Sequence, residues 1–354
     1  TFFCLGAYAM GIHLAHHGGP EGIIDSNGWK IPACLFVVYP YEVGESSGDA
    51  LVPGFWKPFW NLPITIFLGL LIPGLVSLIL GYFVFKSKVR GVYFAILTQA
   101  IAVAAWLVFC RNDVKLCGTN GLTRFDVIAP HGSIFTLNPV DATQGWIESN
   151  TGASNIDLNK DGAVDQLDYS IADVGYSLSA PEVQVSLYII SVLCLLGAYL
   201  ICRWIVISRL GKVLVAIRDD EPTLSFFGYK PYTFKIFAFC VAAMLAALAG
   251  LLYVPQMKIV TPSNMEAVRS VLVVVWVAVG GRGSLGGAIL GALSVNLIYN
   301  YLTSEHDYGF FTWSPDYWPI FLGIMFVVVV LFLPNGLIEL VDRFIKKKPI
   351  SKHE

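Results

Sequence analysis

Long runs of apolar residues constrain this chain more than any other feature. They lie near 1–15, 62–85, 91–110, 183–207, 234–253, 268–302 and 318–333. A helix needs about 20 apolar residues to cross a bilayer core that is about 30 Å thick. Lipid offers no hydrogen-bond partner to the backbone, so a crossing segment outside a closed barrel is helical. Because only 14% of the 354 residues are charged, against about 25% in soluble domains, the runs predict an all-α polytopic membrane protein.

The run at 268–302 is too long for one crossing and contains the stretch GGRGSLGG at 280–287. Glycine-interrupted hydrophobic segments are typical of short or broken membrane helices. We interpret this run as a glycine-broken helical hairpin that crosses twice, which gives about eight transmembrane helices. The first run has about 15 residues, which is short of a full crossing, and the sequence does not begin with Met. We therefore expect further residues upstream that complete the first helix.

The distribution of Lys and Arg predicts which loops face the cytoplasm. Basic residues concentrate in one alternating set of loops: Lys86, Lys88 and Arg90, the segment from Arg203 to Lys235, Arg282, and the tail from Arg343 to Lys352. The positive-inside rule assigns this set to the cytoplasm. The complementary loops, 16–61, 111–182, 254–267 and 303–317, are then external. The net charge of -2 gives no bulk attraction to nucleic acid, so we expect membrane lipid and not nucleic acid around the chain.

The long external loop insert at 126–180 contains the stretch DLNKDGAVDQLD at 157–168. A 12-residue calcium loop takes oxygen ligands from positions 1, 3, 5, 7, 9 and 12 and turns at a glycine in position 6. The matching ligands are Asp157, Asn159, Asp161, the backbone carbonyl of Ala163, Asp165 and Asp168. We expect a structural Ca2+ here, because extracellular calcium modules bind in the millimolar range. The alternative is a solvated acidic loop.

The segment 211–235 has mixed charge and apolar residues close to helical spacing. They are Val213, Leu214, Ile217, Leu224 and Phe227. The pattern predicts a short surface helix with one apolar face. The chain has no GxxxxGK[ST] stretch for binding nucleotide phosphates, so this face suits a soluble partner protein. The alternative is an amphipathic helix that lies on lipid.

Five blocks of the sequence resemble one family of permeases. They are GVYFAILTQA (91–100), GTNGLTRF (118–125), GKVLVAIRDDEPTLSFFGYKPYTFKIFAF (211–239), VVWVAVGGRGSLGGAILGALSVN (274–296) and LFLPNGLIEL (331–340). Together they resemble the LivM branch of the branched-chain amino acid ABC importer permeases. Within that branch the stretches YVPQMKIVTPSNMEAVRSV, NYLTSE and LFLPNG resemble the urea permeases. The resemblance covers most of the chain but not 16–61 or the insert.

The resemblance implies a transmembrane permease domain over 1–353 that moves urea or short-chain amides inward across the plasma membrane of a bacterium, its inner membrane. It implies a second homologous permease subunit, cytoplasmic ATPase subunits and an external substrate-binding protein. Segment 211–235 would be the coupling loop that docks on an ATPase, with Arg218, Asp219, Glu221 and Gly228 on its motif. ATP hydrolysis would belong to the partner, so the chain itself is not expected to be an enzyme and needs no cofactor for transport.

A path for urea needs amides, hydroxyls and aromatic faces, because urea is small, neutral and planar. The apolar runs supply candidates: Tyr93, Thr98, Gln99, Trp276, Asn296 and Asn300. Polar side chains in membrane helices also bond neighbouring helices, which is the alternative role for each. The glycine cluster predicts a hinge at Gly280, Gly281 and Gly283, with close helix packing as its alternative.

Other functions stay open from the sequence. A branched-chain amino acid permease is the nearest alternative, followed by a passive channel for urea or amides and by a docking protein built around the calcium loop. Carboxylates are absent from the centres of the apolar runs, which argues against coupling to protons or sodium. Cys110 and Cys117 bracket a polar turn and form a candidate disulfide if that edge is oxidising.

Overall fold

A computed structural model describes residues 1–17, 52–87, 92–123, 127–128, 176–178, 181–281, 283–303 and 323. The chain divides into two compact units. The first comprises Thr1–Leu200 and Ile205–Glu266, and the second comprises Ile201–Trp204 and Ala267–Glu354. The calcium loop lies outside the described residues, as does the apolar run at 318–333 apart from Gly323.

Helices dominate the described residues, which confirms the mostly helical fold. They are α1 (Phe2–His17), α2 (Leu62–Lys86), α3 (Val92–Cys110), α4 (Pro181–Ile207), α5 (Arg209–Asp219), α6 (Glu221–Phe226), α7 (Pro231–Met257), α8 (Ala267–Gly280) and α9 (Leu285–Thr303). Short 3-10 helices lie at Gly54–Trp60, Asn112–Val114, Gly118–Asn120 and Pro262–Met265. The strands are β1 (Leu122–Thr123), β2 (Val127–Ile128), β3 (Tyr176–Ser177) and β4 (Ile259–Val260). β1 pairs antiparallel with β4, and β2 pairs antiparallel with β3.

Three helices in the described ranges, α2, α4 and α7, are long and apolar enough to cross a membrane. The pair α8 and α9 makes a fourth candidate span that is broken by a bend of 113°. α1 is apolar but shorter, and so is the apolar part of α3. The predicted total of about eight crossings therefore stays a prediction, because α1 and the apolar part of α3 are short and the run at 318–333 lies almost wholly outside the described residues.

Glycines bring α2 and α7 together in the first unit. A Cβ on Gly69 would lie 2.8 Å from Cδ2 of Leu251. Nearer the other end of the helix pair, a Cβ on Gly81 would lie 3.3 Å from the ring of Phe239. The two helices run antiparallel along this contact. Lipid supplies no hydrophobic force between helices, so close packing of this kind is a main source of their association.

α1 crosses α7 more closely still. A Cβ on Gly250 would lie 1.9 Å from the backbone oxygen of Phe3, and one on Gly6 would lie 2.2 Å from that of Ala247. Both contacts are with backbone atoms, which move only if a whole helix moves. Any larger residue at these two positions would therefore separate α1 from α7.

One end of the first unit is closed by buried side chains. Trp56, Leu122, Val260 and Met265 are each at most 1% exposed there. They come from the first 3-10 helix, from the β1–β4 pair and from the 3-10 helix that follows it. We call this the capped end of the unit, defined by these four residues.

Two histidines fasten the first 3-10 helix to α1. Nδ1 of His13 lies 2.9 Å from the carbonyl oxygen of Phe59, and Nε2 of His16 lies 3.1 Å from that of Trp56. A carbonyl oxygen only accepts hydrogen bonds, so these two ring nitrogens are the ones that carry hydrogen. Both histidines are buried, and their bonds hold the cap onto the helical part of the unit.

The cysteines differ from the sequence prediction. Cys110 is free, whereas Cys117 is disulfide-bonded, so the predicted bridge between these two residues is wrong. Cys110 lies in the last turn of α3 and is partly exposed. Beyond it the chain turns through a 3-10 helix and the left-handed residue Lys115, and Cys117 becomes buried in the cap.

The second unit is organised around the predicted glycine break. A Cβ on Gly280 would lie 1.8 Å from the carbonyl oxygen of Gly287, and one on Gly291 would lie 2.0 Å from that of Trp276. Gly281 has a φ of 118°, a backbone conformation that favours glycine. The two-helix form of the break is therefore confirmed. The 14 residues of α8 rise only about 21 Å, which is less than the thickness of a bilayer core. That α8 and α9 each cross the membrane fully therefore stays a prediction.

Candidate coupling surface and transport path

The predicted coupling loop forms two short helices, α5 and α6, where the sequence predicted one. The carboxylate of Asp220 accepts a hydrogen bond from the N–H of Thr223 at 3.3 Å and so caps α6. Pro222 follows in the first turn of α6, where a missing N–H costs little. The capping carboxylate and the proline together explain the break between the helices.

Thr223 donates to Asp220 through both its N–H and its hydroxyl. These two hydrogen bonds favour the charged carboxylate and hold the pKa of Asp220 below its usual value. Asp220 therefore caps α6 as a charged carboxylate at neutral pH.

The predicted apolar face of the loop divides into a packed part and an exposed part. Ile217 is buried, and Leu224 is partly buried, where α5 and α6 contact α7. Phe227 is 72% exposed and its neighbour Phe226 is 90% exposed. The predicted apolar face is therefore not continuous, because Ile217 is buried whereas Phe227 stays exposed and available to a partner.

The residues predicted to contact an ATPase have different environments. Arg218 Nε lies 3.0 Å from Oδ1 of Asp219, and both side chains are exposed. Glu221 is turned towards α7, where its Oε1 lies 2.7 Å from Nζ of Lys235. Gly228 has a φ of 85° and allows the turn after α6. Arg218 and Asp219 are therefore accessible to a partner, whereas Glu221 holds the loop against the helix.

Phe226 and Phe227 form an exposed aromatic pair at the end of α6. Their ring centroids are 6.3 Å apart and the rings are nearly perpendicular. Large apolar side chains that stay exposed beside polar residues are typical of interaction sites. Sequence reasoning missed Phe226, although two adjacent aromatics before a glycine in a charged loop were the available signal.

The three path candidates on α3 face different directions. Thr98 borders a cavity and donates to the carbonyl oxygen of Phe94 at 3.0 Å. Gln99, the next residue, is about 100° further round the helix and is exposed. Tyr93 is 77% exposed. The structure therefore does not bring these three residues together on one face.

The other path candidates lie on α8 and α9 in the second unit. Trp276 is partly buried, and its carbonyl oxygen lies at the close contact with Gly291. Asn296 and Asn300 share an exposed face, as their spacing predicted. The amide of Asn296 donates to the carbonyl oxygen of Ala292 at 2.8 Å within α9, which is neither a path contact nor a bond to a neighbouring helix.

The three predicted hinge glycines differ in their packing and in their backbone conformation. Gly280 is at a backbone contact with Gly287, and Gly281 needs its positive φ. Gly283 has no atom within 4 Å of an added Cβ. Packing thus explains Gly280 and backbone conformation explains Gly281, while movement at this break stays a prediction.

All six predicted calcium ligands, 157–168, lie outside the described residues. Among the residues that the structure does describe, no group of three or more His, Cys, Asp or Glu side chains is placed to hold a metal ion. The calcium site therefore stays a prediction.

Comparison with known proteins gives a consistent set of similarities. The family model described as branched-chain amino acid transport system / permease component matches residues 2–330. The high-affinity branched-chain amino acid transport system permease protein LivM of Salmonella typhimurium is 23% identical over 313 residues, which cover 87% of this chain and 64% of the relative. LivM of Escherichia coli K12 is 23% identical over 309 residues, with the same two coverages. The chain thus spans just under two thirds of the length of both.

A shorter similarity involves a sugar permease. The ribose import permease protein RbsC of Haemophilus influenzae is 26% identical over 133 residues, 36% of this chain and 39% of the relative. No solved structure matches the chain.

Proposed function

Because the chain belongs to the family of branched-chain amino acid transport system permease components, we propose that it is the membrane-spanning subunit of an ATP-driven importer. The observation that carries the proposal is the exposed aromatic pair on a helical loop at the end opposite the cap. The sequence lacks the phosphate-binding GxxxxGK[ST] stretch, so energy would enter through a partner ATPase that docks on this loop.

Two independent observations support the sidedness of this proposal. The end that carries α5 and α6 is rich in basic residues, among them Lys86, Lys212 and Lys235, as expected for a cytoplasmic face. The capped end contains disulfide-bonded Cys117, and disulfides persist in oxidising compartments outside the cytoplasm. The loop would then face the cytoplasm and the cap would face outward, in the inner membrane of a bacterium.

The aromatic pair has the anatomy of a protein-binding hot spot. Phe226 and Phe227 offer apolar anchors, and Arg218 and Asp219 supply a charged rim. We therefore assign the pair to an apolar pocket on the ATPase.

Two substrate classes follow from different observations. The sequence blocks that resemble urea permeases support urea or a short-chain amide. The names of the LivM relatives, which are branched-chain amino acid permeases, support leucine, isoleucine and valine at least as well. An amino acid carries a carboxylate and an ammonium group, so its path would need complementary charges or helix ends that urea does not need.

The deciding experiment reconstitutes the chain with its ATPase and permease partners and an external binding protein in vesicles. The importer proposal predicts that uptake stops when ATP is replaced by a non-hydrolysable analogue. Uptake that continues unchanged would instead show a passive channel. Labelled urea and labelled leucine, each competed with the other unlabelled compound, identify the substrate class.

The insert at 126–180 is proposed to be stapled by calcium at 157–168. Removal of Ca2+ with a chelator should make the insert sensitive to external protease while uptake continues. The variant Asp157→Ala, which removes the ligand at loop position 1, should show the same sensitivity in the presence of Ca2+. Equal cleavage with and without Ca2+ would identify a solvated acidic loop.

A further inference from the structure

Cys117 differs from the other cysteines that the structure describes. It is disulfide-bonded, whereas the remaining cysteines of the described ranges carry free thiols: Cys4, Cys110, Cys194, Cys202 and Cys240. The structure holds a single chain, so the second sulfur of the bond belongs to that chain. The sequence has seven cysteines, and the seventh, Cys34, lies outside the described residues.

The backbone at Cys117 has a conformation that needs a constraint. Its φ is 64°, and Lys115, two residues earlier, has a φ of 54°. Residues other than glycine seldom adopt this left-handed conformation, and they keep it where the surrounding structure enforces it. Cys117 is 1% exposed, so burial and a covalent bond together supply the constraint.

The segment that contains Cys34 begins and ends at the capped end. Ala15 near the end of α1 and Val52 before the first 3-10 helix belong to the same buried cluster as Cys117. Cys34 lies near the middle of the sequence between them. An extended chain spans about 3.5 Å per residue, so either half of this segment is long enough to bring Cys34 back to the capped end.

We propose that Cys34 and Cys117 form a disulfide that ties the segment between α1 and the first 3-10 helix to the capped end. The bond joins that segment to the turn after α3, and it closes a loop over 34–117. It is independent of the substrate that the chain transports and of the ATPase that docks on the loop at the opposite end.

The oxidant for this bond is a protein that carries a reactive disulfide. One thiolate of the pair attacks that disulfide and forms a mixed disulfide, and the second thiolate then displaces the donor. Two electrons and two protons pass to the donor, which leaves as a dithiol. Because Cys117 has almost no exposed surface in the folded unit, the exchange precedes folding of the capped end. It takes place outside the cytoplasm, where disulfides persist.

The test uses the full chain in bacterial membranes, unfolded in the presence of N-ethylmaleimide without a reductant, digested and analysed by mass spectrometry. We expect one linked peptide pair that joins Cys34 to Cys117 and disappears on reduction. The five free cysteines should all carry the maleimide. A host without its extracytoplasmic thiol oxidase should give at least fivefold less of the linked pair, and an unchanged yield would overturn the exchange step.

The variant Cys34→Ser should make Cys117 react with the maleimide after unfolding. It should also lower the thermal midpoint of the purified chain by about 5 °C or more, because it opens a long loop. Its matched control is Cys110→Ser, which removes a free thiol seven residues before Cys117 and should keep the linked pair. The maleimide pattern is recorded after unfolding, so it decides the pairing even if Cys34→Ser does not fold.

Three results would overturn the proposal. The first is maleimide on Cys117 in the unreduced parent chain. The second is a linked peptide that joins Cys117 to a cysteine other than Cys34. The third is a dimer on a non-reducing gel that Cys117→Ser abolishes, which would show a bond between two copies of the chain.

Discussion

The two ends of the first unit differ in the exposure of their large side chains. At the capped end, large side chains such as Trp56 and Leu122 have no exposed surface, and hydrogen bonds join segments that are distant in sequence. At the other end, Phe226 and Phe227 stand almost fully exposed on a loop held by short-range caps.

The difference shows which end needs another molecule. A surface whose aromatics are already buried gains little from a partner, whereas exposed rings beside charged residues gain from being covered. The capped end is therefore structural, and the loop is the surface that we propose for docking of an ATPase. Substitutions at the capped end should therefore lower stability, whereas substitutions in the loop should lower affinity for a partner.

The largest effect is expected at the cap. Trp56→Ala would leave a cavity in a fully buried site and should lower the free energy of unfolding by about 3–5 kcal/mol. Thermal unfolding in detergent with added lipid measures it. The control is the adjacent Phe55→Ala. Because Phe55 is half-exposed, this variant should lower the free energy of unfolding far less. Equal losses for both variants would show that the cap is not a packed structure.

Next in size are substitutions of the aromatic pair. Phe226→Ala and Phe227→Ala should each weaken ATPase binding by about 2 kcal/mol, which is roughly 30-fold, with thermal stability unchanged. Surface-immobilised permease titrated with the purified ATPase gives the affinity. Phe67→Ala removes a similarly exposed ring from α2 and should bind normally. A loss of stability without a loss of affinity would contradict the docking role.

A smaller effect is expected for the ion pair that holds the loop on α7. The side chains of Glu221 and Lys235 are about a quarter exposed, so Lys235→Gln should cost no more than about 1 kcal/mol of stability. The affinity for the ATPase should fall by less than it does for Phe226→Ala. A larger loss of affinity would make the ion pair, and not the aromatic pair, the main determinant of docking.

The smallest effect concerns the cap of α6. Because the folded-state pKa of Asp220 is lowered by Thr223, its contribution is present above the usual carboxyl pKa and is lost as the pH falls through the lowered value. The protection of the Thr223 amide, which is its exchange rate relative to that of an unstructured peptide at the same pH, should therefore fall as the pH is lowered. In Asp220→Ala this protection should be low at every pH, while the neighbouring Asp219→Ala should behave like the parent chain. Protection in the parent that does not change with pH would show that Asp220 does not cap α6.

Much of the helical fold was predictable because apolar length alone requires helices in lipid. The run at 62–85 became Leu62–Lys86 and the run at 183–207 became Pro181–Ile207. The glycine break was also predictable, since its sequence is local.

The site was less predictable because it depends on contacts between distant segments. Helical spacing placed Phe227 on the same face as Ile217. In the structure a new helix, α6, begins after Asp220, and Phe226 and Phe227 at its end are exposed. Whether Cys117 forms a disulfide likewise depends on how the capped end of the unit folds. The disulfide state of Cys117 has no signal within a single window of sequence.

The proposed importer requires the loop with the aromatic pair to face the cytoplasm, at the end opposite the capped end. A single cysteine at the exposed position Ser225, tested with a membrane-impermeant thiol reagent, measures this directly. The account predicts that Ser225→Cys is labelled only after the cells are permeabilised, whereas Asp113→Cys near the cap is labelled in intact cells. Labelling of Ser225→Cys in intact cells would reverse the sidedness and remove the ATPase from the loop.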